Sequence, residues 1–244
     1  MILEKEYVRG NAVLYARKYA FVRNPLFTTF EGIGGNCTNF VSQCVLAGSC
    51  VMNFTPVYGW YYLSLNRRSP SWSGVEFFYN FITSNLDVGP FGAEVDMSRV
   101  EIGDVVQLAD STGDYYHTLL ISKIENGEIF ICANTNDALD KPLSEYTYAT
   151  ARFIHILGVR YDTRFRIDCF ESLYNPPLPP VTPPTEQPES PPPVQNAEEV
   201  KITTIVIWHL QSSDSSWSVP PMAWHCKVFP RKFLFFLLTA LNPV

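Results

Sequence analysis

Several things are missing from this sequence, and each absence removes a class of function. No apolar run reaches the roughly 20 residues that a membrane-spanning helix needs; the nearest, RKFLFFLLTALNPV at residues 231–244, is shorter and allows at most a surface contact by the tail. Basic charge is not in excess: 18 Lys and Arg against 24 Asp and Glu leave a net −6, so no positive field gathers phosphates and nucleic acid is not an expected partner. Cysteine is sparse, with six at positions 37, 44, 50, 132, 169 and 226 and no C-x2-C pair. That rules against a zinc cluster and a disulfide scaffold, and the six are read mostly as reduced thiols. No metal or other cofactor is expected. The opening MILEKEYVRGNAV lacks a basic start followed by an apolar run, so no secretory signal is read and the default expectation is cytoplasmic. There are no internal repeats.

The residues present describe a globular domain followed by something else. With 46% hydrophobic and 17% charged residues, 244 positions suffice for one substantial core. Residues 175–195, NPPLPPVTPPTEQPESPPPVQ, hold ten prolines and no aromatic, which makes an extended linker rather than a core. The expected division is a domain at 1–172, a Pro-rich linker at 173–196 and a tail at 197–244 of unassigned fold. The tail's KITTIVIW is strand-like; a truncated module, a surface anchor and a wrong reading frame all fit it.

Within the domain, EKEYVRGNAVLYARKYA carries Val8, Ala12, Tyr15, Ala16 and Tyr19 at helical spacing. SWSGVEFFYNFITSNL reads as another helix, capped by Ser73 and burying Phe77, Phe78, Phe81 and Ile82. GDVVQL, HTLLISKI, EIFICAN and ARFIHILGVRY are short, apolar and β-branched, hence strands. Helices followed by strands predict an α+β fold, with N-terminal helices packed on an antiparallel sheet.

In GGNCTNFVSQCVLAG, residues 34–48, Cys37 opens a helix whose apolar stripe is Phe40, Val41, Cys44 and Val45. A thiol there meets unpaired backbone N–H groups and the positive end of the helix dipole, which favour thiolate over thiol. The same N–H groups face a developing oxyanion, and Gly34 and Gly35 leave room for a substrate. On the helix alone, a nucleophile and a small buried hydrophobe are both open readings of Cys37. Cys44 reads as core.

A thiol nucleophile needs a base and the base an orienting partner. His209 and His225 lie beyond the linker and His155 sits inside FIHIL, leaving His117 at the start of a strand. That strand runs into Asn126-Gly127, the signal for a two-residue type I′ hairpin. Ideal register then places Ile121 opposite Cys132, Leu119 opposite Asn134 and His117 opposite Asn136. Both asparagines share the face of His117, and either amide is a candidate orienting group.

These stretches resemble the family described as "Putative amidase domain", a bacterial branch of the papain-like cysteine peptidase superfamily. The similarity runs over roughly residues 7–160 through NCTNFVSQC, GWYY, SPSWSGVEFFYNFI, GDVVQL, YHTLLISKI, ANTNDALDKPLS and FIHIL. It implies a papain-like fold, a Cys37 nucleophile, a His117 base and a polar third residue best matched by Asn134, with Asn136 as second candidate. Family members usually carry Asp where this chain has Asn36, and often His where it has Asn134. Asn36, Trp60, Tyr61 and Trp72 are the candidate lining of a substrate cleft.

The resulting expectation is a cysteine-dependent amide hydrolase working through a thioester, on peptide or peptidoglycan-like amides. An acyl transferase with the same Cys/His site is a second reading. A non-catalytic cell-wall or protein-binding module, with the proline segment as spacer, is a third.

Overall fold

The computed structural model describes residues 1–164 and 168–177. The proline segment from 178, KITTIVIW, the terminal apolar stretch, His209, His225 and Cys226 lie outside the described residues.

Strand β1 (Ile2–Lys5) comes first, then α1 (Arg9–Tyr19) and α2 (Cys37–Ser49). A short hairpin, β2 (Tyr62–Ser64) and β3 (Arg67–Arg68), leads to α3 (Pro70–Ser73) and α4 (Val75–Ser84). Strands β4 (Gly89–Val95), β5 (Val105–Ala109), β6 (Tyr115–Glu125), β7 (Glu128–Ala133), β8 (Ala138–Pro142) and β9 (Thr150–Asp162) follow, and α5 (Phe170–Tyr174) ends the described chain. The main sheet is antiparallel, in the order β1-β9-β5-β6-β7-β8 with β4 also on β9. The α+β expectation holds.

Alternation along the strands divides the interior in two. Val105, Leu120, Cys132, Ile154 and Ile156 meet the helices, whereas Val106, Leu108, Leu119, Ile121 and Ile131 form a second cluster closed by Ala138 and Leu143. Helix α2 differs from the one-sided helix expected, because all thirteen of its residues are buried. Most of its polar side chains survive burial because they have partners, the Ser49 hydroxyl being the exception. Asn39 accepts from the Trp72 indole at 2.7 Å, Ser42 donates to the Trp72 carbonyl at 2.8 Å, and Gln43 accepts from the Tyr15 hydroxyl at 2.8 Å.

Four local expectations need correction. Glu4 and Lys5 end strand β1, whose Ile2–Lys5 align with Asp162–Val159 at the end of β9, so the helix begins only at Arg9 and Val8 stays exposed ahead of it. Ser73 closes α3, and Gly74 takes the cap position of α4. Phe77 stays 59% exposed while Phe78, Phe81 and Ile82 turn inward, because one helix stripe cannot hold both adjacent phenylalanines. Cys50 and Cys169 form a disulfide across 119 residues, with Cα atoms 5.4 Å apart; no sequence spacing announces a pair so distant.

Candidate active site

Cys37 is the first residue of α2. Gly34 and Gly35 before it have φ of +118° and +97°, a backbone region that favours glycine, and this loop turns the chain into the helix. Asn36 occupies the cap position, yet its side chain makes no capping bond to the first turn. The Asn36 carboxamide is used elsewhere: its Oδ1 accepts from the Phe30 N–H at 3.0 Å and from Asn39 at 2.8 Å, and its Nδ2 donates to Asn134 Oδ1 at 3.0 Å. The Asn36 N–H in turn donates to the Thr135 hydroxyl at 2.6 Å. The loop carrying the thiol is therefore held by the turn that follows β7.

His117 stands near the start of β6, opposite Leu108, where the β5–β6 ladder changes register. Its ring is parallel to that of Tyr116, with centroids 6.3 Å apart, and 6.2 Å from that of Tyr146. Burial pushes its pKa from 6.5 down to about 4, so the imidazole is neutral at neutral pH. Cys37 and His117 are each 8% exposed. The residues following them touch: the Thr38 and Thr118 hydroxyls are 2.9 Å apart, which places the start of α2 against the start of β6.

The hairpin tip is as expected, with Asn126 and Gly127 both at positive φ and Glu125 opposite Glu128. Beyond it the predicted register fails. An irregularity between Ile121 and Lys123 pairs Leu120, rather than Ile121, with Cys132. One extra residue in one strand shifts every later partner, so the derivation of Asn136 opposite His117 does not hold. Asn136 lies exposed in the 134–137 turn with φ +59°. Asn134 is 2% exposed, and its amide nitrogen lies 2.9 Å from the Ala20 carbonyl and 3.3 Å from that of Tyr19. Its amide holds Asn36 and the end of α1, not the His117 ring.

The cleft expectation also meets a different placement. Trp60 and Trp72 are fully buried with ring centroids 4.9 Å apart, and Trp72 also packs on Phe27 and Tyr62. Asn36 is 1% exposed, and Tyr61 packs on Phe54 at 5.4 Å. Indoles inside the core present no surface to a substrate. Beside Asn36, Asn39, Gln43 and Asn134 lies a polar cavity about the size of one water. A wider groove, lined by Met52, Phe54, Val88 and Tyr161, opens at the opposite end of α2, about 18 Å along the helix from Cys37, without a thiol and imidazole facing each other.

Cys44 and His155 take the structural places read from the sequence. Cys44 is fully buried and its thiol is pushed well up by burial and then by Cys132. His155 Nδ1 is 2.7 Å from Asp104, which also receives Arg9 at 2.6 Å. Among the described residues no group of three or more His, Cys, Asp or Glu is arranged to hold a metal ion. The sequence reading missed Thr38, Thr118, Gln107 and Arg152, although a threonine directly following both Cys37 and His117 was a visible signal.

Helices on an antiparallel sheet, with a helix-start thiol beside a strand bearing a buried imidazole, are an arrangement suited to acyl chemistry. The model of the "Putative amidase domain" family matches residues 6–157, and the chain belongs to that family. The chain is also similar to the uncharacterized protein YhbB of Bacillus subtilis (strain 168), at 32% identity over 138 residues. The match covers 54% of this chain and 43% of YhbB, so the chain spans less than half the length of that relative. No solved structure matches it.

Proposed function

We propose that residues 1–177 form a papain-like, cysteine-dependent amide hydrolase. The observation that carries this reading is the first turn of α2, which begins with Cys37 and is bonded through Thr38 to the strand of His117. Cys37 attacks the carbonyl carbon as its proton passes to His117, and first-turn N–H groups receive the oxyanion. His117 protonates the leaving amine, a thioester remains, and water activated by His117 releases the acid. Peptides, including cell-wall cross-links, are the proposed substrates. The Cys50–Cys169 disulfide favours an oxidising compartment over the cytoplasmic default.

The test is labelling of the full chain at neutral pH with a thiol-directed acylating probe. Acylation of Cys37 that is lost in His117→Ala supports the reading. Labelling indifferent to His117, or directed to other cysteines, overturns it.

A further inference from the structure

A buried polar chain runs from the sheet to Cys37. Arg152 is 6% exposed and its guanidinium lies between two rings, 3.6 Å from the Tyr79 centroid and 3.8 Å from that of Tyr115. It pairs with Glu76 at 2.8 Å, and its Nε donates to Gln107 Oε1 at 2.7 Å. Gln107 is fully buried, and its Nε2 donates to the Val75 carbonyl at 2.9 Å and to the Thr118 hydroxyl at 3.2 Å. Thr118 and Thr38 are then 2.9 Å apart, and Thr38 Oγ1 is 3.9 Å from Cys37 Sγ.

Donor bookkeeping gives this chain a direction. Arg152 has only donors and the Val75 carbonyl only accepts, so the Gln107 amide is fixed with its oxygen toward the arginine and its nitrogen toward Thr118. Both amide protons are then committed, and Thr118 Oγ1 is an acceptor. Its own proton is free to go to Thr38, and the proton of Thr38 to the sulfur. When the sulfur carries charge, this forward orientation of both hydroxyls is the stabilised one, with a cation at its far end.

We propose that the Thr38 hydroxyl donates to the Cys37 thiolate, with Thr118, Gln107 and Arg152 as the positioning residues that aim it. The proposal rests on Cys37 being the nucleophile. As the Cys37 proton moves to His117, the Thr38 O–H turns onto the sulfur; no bond of Thr38 breaks. Of the other charged groups near this loop, Arg23 pairs with Glu31 and with Asp137 at 2.8 Å, and the Arg68 guanidinium lies 4.3 Å from the centroid of the Phe30 ring.

The experiment is the pH profile of Cys37 alkylation by iodoacetamide in the full chain, read at the Cys37 peptide by mass spectrometry. Thr38→Val should raise the midpoint by about one pH unit, roughly a tenfold loss of thiolate below it, and Thr38→Ser should restore it. Thr118→Val, tested for folding by thermal unfolding, should shift it the same way by less and carries the test if Thr38→Val does not fold. A midpoint moved by His117→Ala but unmoved by Thr38→Val and Thr118→Val overturns the relay and leaves the nucleophile–base reading standing. A midpoint moved by the threonines but not by His117→Ala supports the relay and removes the base. Indifference to all three overturns both.

Discussion

The two ends of α2 are secured by different physics. At the start, the loop bearing Cys37 is held by directional hydrogen bonds: Asn36 to Asn134, the Asn36 N–H to Thr135, and Thr38 to Thr118. At the finish, Cys50 takes a left-handed φ of +53° and is bonded covalently to Cys169, just before α5. Hydrogen bonds fix where a thiol points but contribute about 1 kcal/mol each, whereas a crosslink closing a long loop constrains the unfolded chain and says little about orientation. One end is built for geometry and the other for stability.

That contrast is broken most severely by Cys37→Ala. It should cost at least about a thousandfold in amide cleavage with little change in melting temperature, measured by turnover and thermal unfolding side by side. Cys50→Ser should do the reverse: a loss of about 2–5 kcal/mol in denaturant unfolding, with the activity of the folded fraction retained. Turnover falling as steeply as stability would show that the two ends are not separable.

Acid sharpens the comparison through His117. Its folded pKa of about 4 lies below the ordinary 6.5, so as the pH falls the unfolded chain takes up the proton first. The associated stability is present above about pH 6.5 and is lost down to about pH 4, roughly 3 kcal/mol in all. Denaturant titrations of the wild type should show this slope and those of His117→Gln should lack it; equal slopes would mean that burial of the ring is not the cause.

The smallest effects separate the two asparagines. Asn134→Ala leaves the Asn36 amide and two carbonyls short of partners and should cost roughly 2–3 kcal/mol, with a clear fall in turnover as the Cys37 loop loosens. Asn136→Ala should cost no more than about 1 kcal/mol, from its left-handed φ, and leave turnover near wild type. A larger loss at 136 would reverse the assignment.

Features that depend on neighbours in the chain were legible in the sequence. The strand periodicity, the Asn126-Gly127 turn, the helix starting at Cys37 and the core role of Cys44 follow from side-chain period, turn dihedrals and helix ends, which act within a few residues. The bulge around Ser122 was not, because no local rule requires an extra residue there, and that one residue displaced the inferred partners of His117. Nor does local sequence reveal that Asn36 meets Asn134 across 98 positions, that Cys50 meets Cys169 across 119, or that Trp60 and Trp72 turn inward rather than line a cleft. Local sequence named the thiol and the imidazole; how the helix start is held against the sheet was decided by burial, where each polar group had to find a partner wherever the fold placed one.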